Sequence, residues 1–481
     1  VIPLTLAEVA ALTSGDLHMN CPTTPGNRVR TAERHAHVTG VTIDSREVTE
    51  GSLFLAFPGE RADGHDFAGA AWEAGAAAVL ATRPVDVPHI LLPQSMDMTV
   101  ALGRIAAEVI RRLPGLRVIA VTGSSGKTTT KDLLASLLPA LGPTVAPVGS
   151  YNNDLGVPLT ICRCDENTRL LVLEMGARGS GHLARLCAMA PPSIGVVLNV
   201  GSAHLGEFGS REAIAQAKSE VASAAKDVAV LNADDPLVAA MAEPLTVPVM
   251  TFGRDVSAQV RAEDVRVDDE GRAAFRLTVG AAAADVKLRL VGEHHVSNAL
   301  AAAAVALQCG LDLPSVADAL STAEPRSRWR MEVRESAAGV TVINDAYNAN
   351  PESMRAALTT LAARGQVSSR RTWAVLGEMA ELGESAESEH LSLGRFAVRS
   401  GVSRMIVIGE HAGGIHAGAV AEASWGEDSM HVADVQEAID VLREQVRSGD
   451  VVLVKGSRVA GLERVAEALL SDADLGAGAA R

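Results

Sequence analysis

The chain has 481 residues, 47% of them hydrophobic, which exceeds what one core holds and predicts two to four domains. A formal net charge of -15 argues against a nucleic-acid groove or an anionic membrane as the main partner, because both favour an excess of lysine and arginine. It leaves room for a local basic pocket around a phosphorylated small molecule. Cys21, Cys162, Cys164, Cys187 and Cys309 follow neither redox nor zinc spacing, no basic leader opens the sequence, and no window approaches about 18 unbroken apolar residues. Free thiols in a soluble, cytoplasmic protein are expected.

Taken in chain order, "TLAEVAALTSG" reads as a helix and "HVTGVTIDSREVTEGSLFLAFPG" as short strands broken by glycine and proline. "HDFAGAAWEAGAAAVLA" adds a helix and a strand, so residues 1–98 form a first α/β unit. A helix over "MTVALGRIAAEVIRRLPG" leads into residues 99–324. There "RVIAVTG", "RLLVLEMG", "SIGVVLNVG" and "VAVLNADD" alternate with helices, the pattern of a mostly parallel sheet covered on both faces. "AAFRLTVG" and "DVKLRLVG" switch to polar/apolar alternation, the mark of half-exposed strands, before the alanine-rich "SNALAAAAVALQCG". From "STAEPRSRWRMEV", residues 325–481 repeat the open-sheet pattern with "VTVINDAY", "RTWAVLGEM", "RMIVIGE" and "DVVLVKGSR", a doubly wound arrangement.

"VIAVTGSSGKTTTKDLL" is a strand, a glycine loop and a helix start in succession. Gly123 and Gly126 let backbone amides approach an anion, with Ser124 and Ser125 between them, and the helix adds its unpaired N-terminal donors. Lys127 would reach outer phosphates, and Thr128, ahead of Thr129, stands where a magnesium-linked hydroxyl stands in phosphate loops. This points to ATP and Mg2+. The full spacing of such a loop calls for glycine at position 121, where this chain has Val121.

Magnesium needs oxygen ligands. Glu174 closes the strand "RLLVLE" and His204 follows another strand end in "NVGSAHLGEF", both at the edge where the glycine loop lies. Lys218, in "REAIAQAKSE", reads from its own helix as a solvated lysine. Asn298 opens the alanine-rich helix and would either meet a nucleobase edge or cap the helix. Arg330, near a domain boundary, would stabilise phosphoryl charge from across that boundary or join an interdomain ion pair; Arg328 is the neighbouring candidate. The clusters around Asn152 and Asn153, and around Asp345, Tyr347, Asn348 and Asn350, read as a substrate groove or as plain Asx-turns. Lys455, Ser457 and Arg458 form a cationic turn that reads as a holder of a carboxylate or phosphate or as an exposed loop. These residues specify a magnesium-nucleotide enzyme and leave kinase, ATPase motor, ATP-dependent ligase and nucleotide-dependent regulatory module open.

The ordered set "VTGSSGKTTTKD", "YNNDLGVPLT", "LEMGARGSGHL", "NVGSAHLGEFGSREAIAQAKSE", "GEHHVSNALAAA", "NDAYNANPESM", "GEMAELGESAESEH" and "LVKGSR" resembles the Mur ligase superfamily of peptidoglycan precursor synthesis and extends over most of the chain. The resemblance implies three domains: a UDP-MurNAc-binding unit, a central P-loop-type ATPase unit and a C-terminal Rossmann-like ligase unit. "YNNDLG" and "DAYNANP" imply the branch that joins D-alanyl-D-alanine to UDP-N-acetylmuramoyl-tripeptide through an acyl phosphate; the alternative is the branch adding one amino acid to the dipeptide precursor.

It further implies ATP on Gly123 to Thr129, Asn298, Arg330 and Asp345, metal on Thr128, Glu174 and His204, and a carbamylated Lys218. Lys127, Glu174, His204, Lys218 and Arg330 would form the catalytic set. Ser45, Arg46, Asp63, Gly64, Asn152, Asn153, Tyr347, Asn348, Asn350, Lys455, Ser457 and Arg458 would face the peptide and uridine substrates, in an enzyme expected to be a monomer. His295 stands where asparagine is common, and Trp329 where a glycine often precedes the motif arginine.

Overall fold

Strands that are apolar on both faces need cover on both faces, and the computed structural model, which describes residues 2–19, 35–59, 62–202, 205–422, 425 and 428–472, supplies it with helices. Cys21 and His204 lie outside the described residues. Cys162, Cys164, Cys187 and Cys309 are free, and burial pushes the first three thiols up to about 12, so they are inert at neutral pH.

Among the described residues the first unit carries a five-stranded sheet in the order Asp16–His18, His89–Leu91, Ala78–Ala81, Ser52–Leu55, Gly40–Thr42, parallel except where Asp16–His18 joins. The Met98–Arg111 helix, capped by Asp97, buries Met98, Ala101, Leu102, Ile105, Ala106 and Val109. That face shares one apolar cluster with Leu53, Leu80 and Ile90 of the first sheet and Val118, Ala120 and Leu171 of the next. The helix therefore joins the two sheets as common core.

The central nine-stranded sheet places Arg117–Thr122 between Leu170–Glu174 and Ile194–Val197, both parallel to it and both later in the chain. The chain thus leaves this strand on one side and returns on the other, creating a switch-point crevice at the strands' C-terminal edge. Alternate residues divide the two faces: Ala120 and Leu171 enter one cluster, Ile119, Val121, Leu170 and Val172 the other. The His295–Cys309 helix is buried all round from Ala299 to Ala306, which explains its alanines: small side chains let it lie between the Lys127–Leu137 helix and the strands Val249–Gly253 and Val260–Val267. Arg272–Val279 and Ala282–Val291 extend the sheet antiparallel with the expected alternation, joined by Val260–Val267, a strand the sequence analysis does not name.

The last sheet runs Glu332–Glu335, Thr341–Asn344, Val451–Lys455, Thr372–Leu376, Arg404–Ile408, Ser429–Val432, parallel apart from its first strand. Val342, Trp373, Val375 and Val452 pack on one face, Ile343, Ala374, Leu376 and Leu453 on the other. Both edge strands, Glu332–Glu335 and Ser429–Val432, go unnamed in the sequence reading because they lack a continuous apolar run.

Candidate active site

The strand Arg117–Thr122 runs straight through Val121, so the turn is confined to Gly123–Gly126 and is shorter than the full phosphate-loop spacing requires. Gly126 has φ +80°, and a Cβ there would collide with the Asn298 side-chain amide; only glycine satisfies both demands. At Gly123 a Cβ would fall 2.9 Å from Leu198 Cβ. The loop is pinned from the next strand end: Ser124 N donates to Asn199 O at 3.1 Å, Ser125 N to Asn199 Oδ1 at 2.9 Å, and Gly201 N to Ser124 Oγ at 2.9 Å. Lys127 Nζ donates to Gly123 O at 2.6 Å. Burial lowers its pKa, with Glu174 opposing and Arg330 adding to the shift.

Thr128 Oγ1 donates to Glu174 Oε2 at 3.0 Å, and Asn152 Nδ2 holds the other carboxylate oxygen at 2.8 Å. Strand register brings this about, since Glu174 lies beside Val121, the residue before the strand's last. Ser150 Oγ stands 2.8 Å from Thr128 Oγ1. Arg330 then reaches in from the third unit: Nη2 donates to Thr128 Oγ1 at 3.2 Å and Ser150 Oγ at 3.1 Å, and its guanidinium lies 4.3 Å from the Tyr347 ring centroid. Arg328 is exposed. Trp329 and Met331, on either side of Arg330, have φ +58° and +49°, a strained backbone for side chains of that size.

Opposite the loop, Lys455 Nζ donates to Asp345 Oδ2 at 2.6 Å and to Asn348 O at 2.9 Å. Asp345 also accepts from Met331 N at 3.1 Å, fixing the segment that carries Arg330. Burial pulls the Lys455 ammonium down against the raising effect of Asp345. Asn350 caps the Pro351–Ser368 helix and extends Nδ2 to Ser124 O at 3.4 Å. Together these residues enclose a cleft of about 670 Å³, lined by the whole loop from Ser124 to Thr129 and by Asn152, Glu174, Asn298, Arg330, Asp345 and the Tyr347–Asn350 run. Two buried nitrogens on its walls, His295 Nε2 and Arg330 Nε, have no hydrogen-bond partner among the described residues. The cleft combines helix-end donors, the cations of Lys127, Lys455 and Arg330, and the Glu174 carboxylate with the Thr128 hydroxyl beside it.

Three family models match the chain: Mur ligase family, catalytic domain, over residues 37–119; Mur ligase middle domain, over 121–306; and Mur ligase, glutamate ligase domain, over 329–458. The chain belongs to the Mur ligase family. A Mycobacterium bovis protein named UDP-N-acetylmuramoyl-tripeptide–D-alanyl-D-alanine ligase is 48% identical, covering 98% of each chain. Among solved structures, MurF from Acinetobacter baumannii is similar with a TM-score of 0.81 at 31% identity, covering 98% of this chain and 99% of that one. MurF ligase from Thermotoga maritima in complex with ADP gives 0.76 at 30% identity, covering 91% and 98%.

In this Mur ligase the reading of Lys218 as a solvated lysine is corrected: the side chain is 3% exposed on the inward face of Arg211–Ser223. Helical spacing alone could not reveal that the face packs against the sheet. Burial, and after it the charge of Lys127, brings its pKa down to about 7. Asn298 is no helix cap either, because the helix begins at His295 and His294 occupies the cap position. Its Nδ2 lies 3.3 Å from His295 Nδ1.

Asn153 makes the plain Asx-turn, accepting from Leu155 N and Gly156 N at 3.2 and 2.8 Å, and does not line the cleft. Ser457 accepts from Ala380 N at 2.9 Å, while Arg458, half exposed, pairs with Glu463 at 2.6 Å and covers the Trp329 ring at 4.4 Å. Ser45, Arg46, Asp63 and Gly64 lie in the first unit and none lines the cleft. Arg46 folds back onto Asp44 at 2.6 Å; Asp63 caps the Gly64–Phe67 turn and binds His65 Nδ1 at 2.6 Å and Arg83 at 3.0 Å. A Cβ at Gly64 would sit 2.7 Å from Phe57 O. Ser150, Asn199 and Glu352 belong to the site without having been singled out; each adjoins or lies within a quoted motif, and only the fold reveals which neighbour it touches.

Proposed function

We propose that this chain joins D-alanyl-D-alanine to UDP-N-acetylmuramoyl-tripeptide at the expense of ATP, forming the UDP-linked pentapeptide, ADP and phosphate. The observation that carries this reading is a relative of that name, 48% identical over 98% of both chains. The cleft supports it with groups suited to a nucleotide triphosphate. We further propose units at residues 1–98, 99–324 and 325–481, each holding one of the main sheets.

ATP lies with its phosphates over Ser124 to Thr129, where backbone donors and the helix N-terminus counter negative charge. Its base sits beside Asn298 and its ribose near Asp345. Lys127 exchanges its contact with Gly123 O for the outer phosphates. The Thr128 hydroxyl and the Glu174 carboxylate are hard oxygen donors 3.0 Å apart, which suits Mg2+, and with His204 they would hold it. When bound, the metal supplies neutralisation of phosphate charge. Lys218, with a near-neutral pKa and no acceptor for its ammonium among the described residues, is suited to carbamylation, which turns a cation into an anion.

The tripeptide carboxylate attacks the γ-phosphorus in line, ADP leaves, and an acyl phosphate forms. Arg330, held by Thr128, Ser150 and Tyr347, faces the developing charge from the C-terminal side. The neutral amine of D-alanyl-D-alanine then adds to the acyl carbon, phosphate departs with the bonding pair of the C–O bond that breaks, and the proton lost from the nitrogen passes to the departing phosphate or to solvent. Asn152, Tyr347, Asn348, Asn350 and the Lys455 end line the acceptor side, while Ser45, Arg46, Asp63 and Gly64 serve the uridine-bearing end. Purified protein given Mg-ATP and both substrates should make pentapeptide, with phosphate release dependent on both. Addition of one amino acid to the dipeptide precursor, or ATP turnover without a peptide product, would contradict the reading.

A further inference from the structure

Glu352 belongs to the first turn of Pro351–Ser368 in the C-terminal unit, yet its carboxylate is spent on the central one. Oε1 accepts from Ser202 N at 2.9 Å and from Ser202 Oγ at 3.0 Å. The approach is close enough that a Cβ on Gly201 would fall 2.8 Å from Glu352 Cδ. Gly201 N in turn donates to Ser124 Oγ in the phosphate loop at 2.9 Å, and Asn350, two residues before Glu352, reaches Ser124 O at 3.4 Å. Beyond this contact the same two units meet again where a Cβ on Gly206 would lie 2.7 Å from Gly383 N, a contact of backbone on backbone. The helix that starts at Pro351 therefore grips the phosphate loop directly through Asn350 and indirectly through Glu352, Ser202 and Gly201. The Glu352–Ser202, Asn350–Ser124 and Gly206–Gly383 contacts each join different units, so none of these survives if the units separate.

We infer that Glu352 is a positioning residue: by accepting from Ser202 it holds the C-terminal unit closed on the phosphate loop while the acyl phosphate waits for its amine. The inference rests on the ligase reading above. An acyl phosphate is open to water as well as to the amine, and exclusion of water is what closure contributes. In the unwanted branch water adds to the acyl carbon, the C–O bond to phosphate breaks with its electron pair leaving on phosphate, a proton passes to solvent, and the tripeptide carboxylate is regenerated. ATP is then consumed with no amide formed. A carboxylate bonded to one backbone N–H and one hydroxyl makes charge-assisted bonds, the stronger class, so its loss should loosen closure measurably.

The test is the ratio of phosphate released to amide formed, under saturating Mg-ATP, tripeptide donor and D-alanyl-D-alanine. For wild type the ratio should be close to unity. Glu352→Ala should raise it at least about three-fold, since loss of a bond to a charged group shifts an equilibrium by that order or more. Glu352→Gln keeps an acceptor oxygen without the charge and should fall between wild type and Glu352→Ala. Gly201→Ala leaves Glu352 in place but sets a methyl where its carboxylate lies, so it should raise the ratio from the opposite unit, with only the tip of a flexible side chain displaced. An unchanged ratio in Glu352→Ala, with both rates falling together, would reduce Glu352 to a structural role and overturn the inference. So would Glu352→Gln being as uncoupled as Glu352→Ala. A wild-type enzyme forming no amide would instead overturn the ligase reading, and the inference with it.

Discussion

Arg330 and Thr128, far apart in sequence and in different units, meet at 3.2 Å between guanidinium Nη2 and hydroxyl Oγ1. The same nitrogen reaches Ser150 Oγ at 3.1 Å while Tyr347 covers the guanidinium plane. A lysine offers a point charge on a flexible stem and cannot serve both hydroxyls while stacking on a ring. Arg330→Lys should therefore lower kcat by roughly 10²-fold, the order seen on losing a group that stabilises developing charge. KM for ATP should change much less. Steady-state kinetics with ATP varied checks this, and a pure KM effect would contradict it.

Lys218 brings a second expectation. Its pKa of about 7, set first by burial and then by Lys127, leaves a large neutral fraction at neutral pH, and only the neutral amine attacks carbon dioxide. Carbon-13 NMR of protein equilibrated with labelled bicarbonate should show a carbamate signal that shrinks as pH falls below about 7 and is absent from Lys218→Ala. That variant should lose activity and regain part of it with a short carboxylate such as acetate. Full activity in Lys218→Ala would contradict the role.

Trp329 tests the strain around Arg330. At φ +58° a residue with a Cβ costs about 1 kcal/mol or more relative to glycine. Trp329→Ala and Trp329→Gly both lose the contact with Arg458, but only glycine relieves the backbone. Denaturant titration should therefore rank Trp329→Gly above Trp329→Ala in stability, by about 1 kcal/mol. The reverse order would show that the left-handed conformation is not what the residue contributes.

His294 couples stability to pH. Burial brings it down to about 4, with Lys455 adding to the shift and Asp345 opposing it, while the unfolded chain protonates near 6.5. Because the folded value is depressed, the unfolded state takes up the proton first. The contribution is complete above about pH 6.5 and is lost as pH falls towards 4, by at most about 1.4 kcal/mol per pH unit. Melting temperatures taken from pH 7.5 to 4.5 should fall less steeply in His294→Gln than in wild type. Parallel slopes would remove His294 from the acid response.

Much of this architecture is legible in the sequence because one physical rule covers it. Strands such as Leu170–Glu174 are apolar through "LLVL", which demands burial on both faces, and glycines at 123 and 126 mark where backbone must approach something closely. What escapes the sequence depends on packing at a distance. Lys218 reads as solvated because its helix has charged neighbours, and only the sheet beneath makes its face an interior one. Glu352 reads as an ordinary first-turn acid, since nothing local says that Ser202 will lie opposite. Edge strands Glu332–Glu335 and Ser429–Val432 escape because an edge is half exposed and carries no continuous apolar run. Asn153 could have been groove or turn, and the short bonds to Leu155 N and Gly156 N decide for the turn.

The most direct test of the chemistry follows the oxygen atoms of the tripeptide carboxylate. With donor labelled by oxygen-18 at that carboxyl group, the acyl-phosphate route carries one labelled oxygen into inorganic phosphate for each amide formed, because the bond that breaks lies between the acyl carbon and that oxygen. Mass analysis of the phosphate should find a single heavy oxygen in step with pentapeptide. Unlabelled phosphate accompanying pentapeptide, or labelled phosphate with no pentapeptide, would contradict the account.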